Sequence, residues 1–347
     1  MSTLNNLPLP PFYDPQKAGA VFRVNYHDLF DQALVWRQKY SVQPPAGDKK
    51  WLTFMVIDGQ NTFGTPGFEL YVGGRSGTGA VDDSRRMAEF IYADLPHISN
   101  IVLSLDTHFV MQIFHRMFWI DAKGNHPTPN VTVITQDDVL AKRWRVNPAV
   151  APYVANGNLA LLERYALHYT QRLAEGGRYP LTIWTEHGIL GGIGHALVSI
   201  LEEAVFFWSV VRQAQPTFEV KGGNFLTENY SILHPEVMDG PSGEPIAQMN
   251  TRLVQTLMRS DYVVEGGWAS SHCWAWTIQD YLNELKAKDA SLVRKVYLPR
   301  LFTSPVVIPG VVDYTDKADA AFAQFASEGM HVVSGDEPLS DWPGMAF

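Results

Sequence analysis

Cys273 is the only cysteine in the 347 residues. It closes the stretch GGWASSHC, which begins at Gly266. Two glycines and a run of small residues place it at the opening of an expected helix, a position that suits a nucleophile. The positive end of a helix dipole favours the thiolate, and the free N–H groups of a first helical turn can stabilise an oxyanion. The same stretch also suits a buried packing residue, because free cysteine is among the most buried residue types. Local sequence alone leaves both readings open. His272 does not decide between them: adjacent residues on a helix diverge, so a His272–Cys273 dyad is not expected.

A nucleophile needs a base and an orienting charge. Asp58 ends the apolar run TFMVID, where packing alone would place Val or Ile, although Asp before Gly is also a common turn. Lys221 ends TFEVK and precedes Gly222 and Gly223, where a solvated lysine would be equally at home. A second constellation starts with Asp106 and His108 at the end of NIVLSLDTH and continues with His115 and His187. Asp-x-His at a strand end puts two side chains on one face. Carboxylate oxygen and imidazole nitrogen suit a divalent transition metal such as Zn²⁺, Fe²⁺ or Mn²⁺. With His187 this would be a two-His, one-carboxylate site that leaves positions open for water or substrate. Asp-x-His pairs are common without a metal, so the pair gains meaning only from its companions. His97, His126, His168, His195, His234 and His331 read as structural or surface residues.

The elements that must hold these groups alternate between apolar strands and amphipathic helices. Strands are expected at 53–58, 100–106, 131–135, 181–185, 217–221, 261–266, 295–298, 306–308 and 330–333. Helices are expected at 26–40, 82–95, 159–174, 193–213, 244–259, 273–285 and 317–328. That alternation predicts an α/β protein with three α/β/α layers around a mostly parallel sheet. Reactive groups in such sheets collect at the carboxyl ends of the strands. Asp58, Asp106, Lys221 and His187 fall at or just past strand ends, and Cys273 follows its strand through a short loop. Residues 1–50 have a different, proline-rich texture and read as an N-terminal arm to a domain at 51–347. The helix at 193–213 is apolar almost all round, which predicts a core helix or, alternatively, an oligomer contact.

Composition narrows the partners. Charged residues make up 18% of the chain and hydrophobic ones 46%, as in ordinary globular proteins. The net charge is −9 and no basic cluster occurs, which argues against nucleic acid and anionic membranes. The first residues lack the regions of a signal peptide, and the apolar run 189–211 is interrupted by His195, Glu202 and Glu203, so no membrane span is expected. A lone cysteine forms no internal disulfide and no Cys-rich zinc site. These features together predict a cytoplasmic protein.

VIDGQNTF, SLDTH, WTEHGILGGIGHAL, FEVKGG and GWASSHC occur in this order. The set resembles the cysteine hydrolase superfamily of nicotinamidases and isochorismatases, and within it the metal-containing nicotinamidase branch. The resemblance covers most of 51–333 and implies the isochorismatase-like hydrolase fold. It implies Cys273 as nucleophile, Asp58 as general base and Lys221 as its charged partner. The Trp268–Ala269 peptide would be cis, and the amides of Ala269 and Cys273 would form the oxyanion hole. Asp106, His108 and His187 would hold a divalent metal, Zn²⁺ foremost with Fe²⁺ or Mn²⁺ as alternatives, and His115 is a candidate fourth ligand. Phe63 and Trp184 would flank a flat substrate ring, with Gln60 beside them as a substrate contact. The activity implied is hydrolysis of a small aromatic amide such as nicotinamide, without an organic cofactor, by a homo-oligomer. Another amide, a ureido or a carbamoyl compound is the alternative substrate, and an inactive binding protein on the same fold is the alternative class. The sequence departs from the pattern at Gly188, where members often carry a second cysteine, and in an insertion around 116–180.

Overall fold

The computed structural model describes residues 6–177 and 179–347. Helix α1 (Tyr26–Tyr40) leads into strand β1 (Leu52–Ile57), helix α2 (Gly79–Ala93) and strand β2 (Ile98–Asp106). Helices α3 (Leu159–Gly176) and α4 (Ser199–Arg212) precede strand β3 (Thr217–Lys221) and helix α5 (Thr251–Arg259). Strand β4 (Tyr262–Gly267), helix α6 (Cys273–Lys288), strand β5 (Val296–Pro299), helix α7 (Thr315–Ser327) and strand β6 (His331–Val333) complete the order. The strands form one six-stranded sheet in the order β6-β5-β4-β1-β2-β3, and every neighbouring pair is parallel.

Strand β1 lies in the middle of this sheet and is buried throughout, as a continuous apolar run between two helical layers requires. Its alternate side chains feed two cores. Leu52, Phe54 and Val56 pack with residues of α1, α2 and α4, whereas Met55 and Ile57 pack with α5, α6 and α7. This makes the three α/β/α layers. A third core, from Ile113 to Ile183 with Val237, includes Tyr165, Tyr169 and Trp119. The apolar girdle of α4 is covered inside the chain. Phe207 and Trp208 are buried, and Phe206 meets Tyr26 of α1 with ring centroids 4.8 Å apart.

Several expected elements take a different form. The runs at 131–135 and 181–185 contribute only Val133–Ile134 and Leu181–Thr182, paired antiparallel away from the main sheet. Pro127, Pro129 and Pro180 flank them, and proline cannot donate to a ladder. The run at 306–308 forms a small antiparallel pair with Val312–Asp313 across the turn at Pro309 and Gly310. The helix expected at 193–213 starts only at Ser199, because the preceding glycines disfavour a helix. Likewise α5 starts at Thr251 and not near 244: Asn250 caps it, its side-chain oxygen accepting the Leu253 N–H at 3.1 Å. Among the described residues, no helix is long and apolar enough to cross a membrane.

Candidate active site

Parallel register brings the strand ends together. Asp106 pairs with Lys221 across β2 and β3, and Ile57 pairs with Gly267 across β1 and β4. Asp58 and Cys273 therefore approach the same edge. The Lys221 ammonium lies 3.0 Å from Asp58 Oδ2 and 3.0 Å from Asp106 Oδ1. It also donates to the Asn229 carbonyl at 2.8 Å and reaches Cys273 Sγ at 3.6 Å. Ser104 fixes Asp58 from behind: its hydroxyl donates to Asp58 Oδ1 at 2.7 Å and accepts the Asp58 N–H at 2.8 Å. Asp58 itself has φ of +54°, a left-handed conformation that non-glycine residues adopt rarely and that often marks a functional turn.

The turn before Cys273 is shaped by backbone contacts. Gly267 has φ of +103°, and a Cβ there would lie 2.0 Å from the Ile57 carbonyl oxygen, so only glycine fits. The Trp268–Ala269 peptide is cis. Among the described residues, no hydrogen bond occupies the N–H of Ala269 or of Cys273. Both amides are available to a ligand at the start of α6.

Electrostatics at this edge corrects one expectation. Burial pushes the Cys273 thiol well above its ordinary value, with Lys221 opposing and Asp58 and Asp106 reinforcing the rise. The helix N-terminus does not make it a resting thiolate, because one ammonium is shared among two carboxylates and a desolvated sulfur. A neutral thiol here would need a base, and the Asp58 carboxylate shares the Lys221 ammonium with it. The two aspartates diverge. Burial raises Asp58 despite Lys221, whereas Asp106, equally buried, is held well below the carboxylate range by His108 and Lys221. The pair of carboxylates in turn raises Lys221 well above its usual value against the effect of burial.

The metal-type residues also converge. Donor atoms of Asp106, His108 and His187 all lie within 4.8 Å of one another, and all three residues are buried. Asp106 Oδ2 is 2.9 Å from His108 Nε2 and 3.5 Å from His187 Nε2. Each imidazole is oriented through its other nitrogen: His108 Nδ1 lies 3.3 Å from the Gly222 carbonyl and His187 Nδ1 lies 2.8 Å from that of Thr185. This is the outer-shell arrangement that metal-bound histidines usually have. His115 Nδ1 is likewise 2.8 Å from the Phe109 carbonyl, and its buried Nε2 has no hydrogen-bond partner. The His115 ring lies 5.8 Å from that of His108 and 5.9 Å from that of His187, and burial together with these two neighbours lowers its pKa to about 3. A neutral imidazole with an orphaned buried nitrogen fits a ligand role. His187 does not come from the end of a sheet strand. It is held by a loop that bridges His108 through Ile189 and His115 through Trp184.

A cavity of about 260 Å³ opens above Cys273 and reaches Asp58, Asp106 and His187. Phe63, Trp184, Tyr230 and Trp268 contribute aromatic walls. Gln60 is not among its lining residues. Its amide instead clasps the backbone, donating to the carbonyls of Asp106 at 2.9 Å and His195 at 3.0 Å and accepting the Asp106 N–H at 2.6 Å. It braces a site residue, with both its N–H donors used and its side chain fully buried. Sequence reasoning did not anticipate Glu228, Tyr230 and His272 as lining residues. Two of these follow β3 in a loop without periodicity, and His272 gave no signal because only packing by Tyr179 and Tyr314 turns its ring into the cavity wall.

No family model matches the chain, and no curated protein matches it. Solved structures do. The yeast nicotinamidase bound to the inhibitor nicotinaldehyde is 15% identical, covering 81% of this chain and 99% of its own, with a TM-score of 0.50. The Acinetobacter baumanii nicotinamidase/pyrazinamidase is 16% identical over 82% of this chain and 96% of its own, with a TM-score of 0.49. The Pyrococcus horikoshii pyrazinamidase in complex with zinc is 15% identical over 81% and 98%, with a TM-score of 0.41. At such identities the likeness to the yeast enzyme is one of architecture. The chain has the α/β fold of that nicotinamidase, the isochorismatase-like hydrolase fold.

Proposed function

We propose that the chain is an amidase of the nicotinamidase-like cysteine hydrolases. It cleaves the C–N bond of a small flat carboxamide, nicotinamide in the first instance, through a thioester on Cys273. The observation that carries this reading is the contact of one buried lysine with Asp58, Asp106 and Cys273 at the floor of an aromatic-walled cavity. Asp58 takes the thiol proton as sulfur attacks the carboxamide carbon, and the oxyanion accepts the N–H groups of Ala269 and Cys273. Asp58 then gives the proton to departing ammonia. It next takes one from the water that opens the thioester and returns it to the departing Cys273 sulfur, while the acid product loses its own proton to solvent and leaves as carboxylate. Lys221 keeps Asp58 oriented and offsets the charge that develops. Phe63 and Trp184 hold the ring flat.

Asp106, His108 and His187, with His115 as fourth ligand, would hold a divalent metal, for which Zn²⁺ is the first choice and Fe²⁺ or Mn²⁺ the others. When bound, such an ion supplies a Lewis-acid anchor for a ring nitrogen or for water. A different amide, a ureido or a carbamoyl compound is the second reading, favoured by the Glu228 carboxyl in the cavity wall.

Ammonia release from nicotinamide beside other amides, with metal content measured on the same sample, tests the reading. Cys273→Ala should lower turnover of every substrate by about 10³-fold or more. Undiminished ammonia release from that variant would sink the thioester scheme. Loss of activity on chelation but not on thiol alkylation would replace it by metal-activated water.

A further inference from the structure

Two carboxyls of the cavity wall, Glu69 and Glu228, belong neither to the Lys221 cluster nor to the group of metal-type donors. Glu69 is exposed and accepts the Thr62 hydroxyl, whereas Glu228 is buried. Glu228 stands on the loop after β3, and that loop is held firmly. The Tyr165 hydroxyl donates to the Leu226 carbonyl at 2.8 Å, and the Glu228 N–H donates to the Tyr169 hydroxyl at 3.1 Å. The Glu228 carbonyl accepts the Glu236 N–H at 2.9 Å, and the Asn229 carbonyl accepts Lys221 Nζ at 2.8 Å. A side chain on such a loop is preorganised and need not be ordered by a ligand.

The carboxyl itself is incompletely served. Glu228 is only 6% exposed, and that exposure opens on the cavity. Oε1 accepts the Asn229 N–H at 3.1 Å. Among the described residues no hydrogen bond reaches the second oxygen and no lysine or arginine pairs with the group. Lys221, the nearest cation by chemistry, is taken by Asp58 and Asp106. A carboxyl walled by Trp184 and Tyr230 and left half-satisfied is costly unless something else completes it.

We infer that Glu228 selects the substrate: its free oxygen accepts a hydrogen bond from an N–H donor, neutral or cationic, carried on the substrate ring in addition to the carboxamide. The inference rests on the amidase reading and deepens it, since it points to amino-substituted aromatic amides in preference to unsubstituted ones. An arriving donor, and a cationic one most of all, completes the acceptor that the protein leaves open. A ring without a donor leaves the carboxyl as it was and gains nothing.

The test uses the full-length Cys273→Ala protein, with dissociation constants for benzamide, 3-aminobenzamide, 4-aminobenzamide and 4-(aminomethyl)benzamide by calorimetry. Ammonia release from the same amides by the unsubstituted enzyme is measured in parallel. At least one amino-bearing amide should bind about tenfold tighter than benzamide or better. Glu228→Met in the Cys273→Ala background should bring that ratio close to one. Glu228→Gln keeps the shape and the acceptor for the Asn229 N–H, and it should cut the advantage of the aminomethyl compound at least about fivefold. A ratio unchanged within twofold in both variants, or no preference in the parent, overturns the inference. Loss of bound metal in Glu228→Gln also overturns it, by making the residue a ligand. If the unsubstituted enzyme releases ammonia from no amide, the amidase reading falls, and the binding ratios still decide the role of Glu228.

Discussion

The sheet edge and the wall facing it were built by different means. At the edge, Asp58, Asp106 and Lys221 each end a strand of one parallel sheet, and each charge has an opposite charge at 3.0 Å. The part of the wall around Glu228 comes from the loop after β3, braced by helix α3. There Tyr165 and Tyr169 project from α3, which packs in its own core, and the carboxyl they help to place, Glu228, has no cation of its own. Topology alone dictates the first arrangement, because strands that pair in register must end together. The second depends on α3 and its separate core, which lie outside the main sheet. On the amidase reading proposed above, the edge would carry the chemistry that any small amide would undergo, and the wall the choice among amides. Edge mutations should therefore lower the rate on every substrate, and wall mutations should redistribute it.

The largest effect is expected at Lys221. Lys221→Met removes the one cation between two buried carboxylates, and breaking a buried pair by deleting one partner costs about 3–5 kcal/mol. With the base misplaced as well, kcat/KM should fall about 10³-fold or more for all amides alike. Steady-state ammonia release across the amide panel, with circular dichroism to confirm folding, would check this. A loss confined to some amides would erase the distinction between edge and wall.

The edge was legible in sequence for the same reason that it is rigid. Asp58, Asp106 and Lys221 each close an apolar run, and a polar residue at that place has few packing reasons to be there. The small residues before Cys273 left its role open, and its ionisation was not legible at all. The helix dipole is a local quantity visible in sequence, whereas desolvation depends on what the rest of the chain places above the thiol, and burial wins. His187 was found by type, yet its strand was not a strand of the sheet, because prolines interrupt that region. Gln60 was placed against the substrate, although its neighbours in space, the backbones of Asp106 and His195, hold its amide. Glu228 had no signal at all. A loop residue has no periodicity, and nothing in the sequence says that α3 returns to hold it.

A buried carboxyl deeper in the same sheet offers an internal control for the edge. Glu265 lies in β4 opposite Met55, fully buried, with neither oxygen hydrogen-bonded. Unlike Asp58 it has no lysine, and burial alone raises it from 4.5 to about 8. The folded protein therefore holds a proton that the unfolded chain releases above its ordinary value. Stability from this group is present at low pH and is lost as pH rises through about 8. Between pH 5 and 8 this amounts to roughly 2–4 kcal/mol. Glu265→Gln should remove that part of the slope, read as the difference between variant and parent in urea unfolding at the two pH values. Parallel slopes would mean that the carboxyl finds a partner as Asp58 does.

The smallest effect separates edge from wall most finely. The Tyr169 hydroxyl accepts the buried Glu228 N–H and touches no group at the sheet edge. Tyr169→Phe removes one oxygen and leaves that N–H unsatisfied, a penalty of about 1–3 kcal/mol spread over the loop. Because the loop also presents the Asn229 carbonyl to Lys221, a general loosening would lower kcat for every amide. A loosening confined to Glu228 would not. The expected result is the second: KM for amino-substituted amides rises about three- to tenfold, KM for benzamide changes less than about twofold, and kcat holds within about twofold for both. The Glu236 N–H on the Glu228 carbonyl keeps the backbone in place, so Asn229 stays on Lys221 while the carboxyl loses its aim. Equal losses in kcat across the panel would show instead that α3 supports Lys221, and that edge and wall are one mechanical unit.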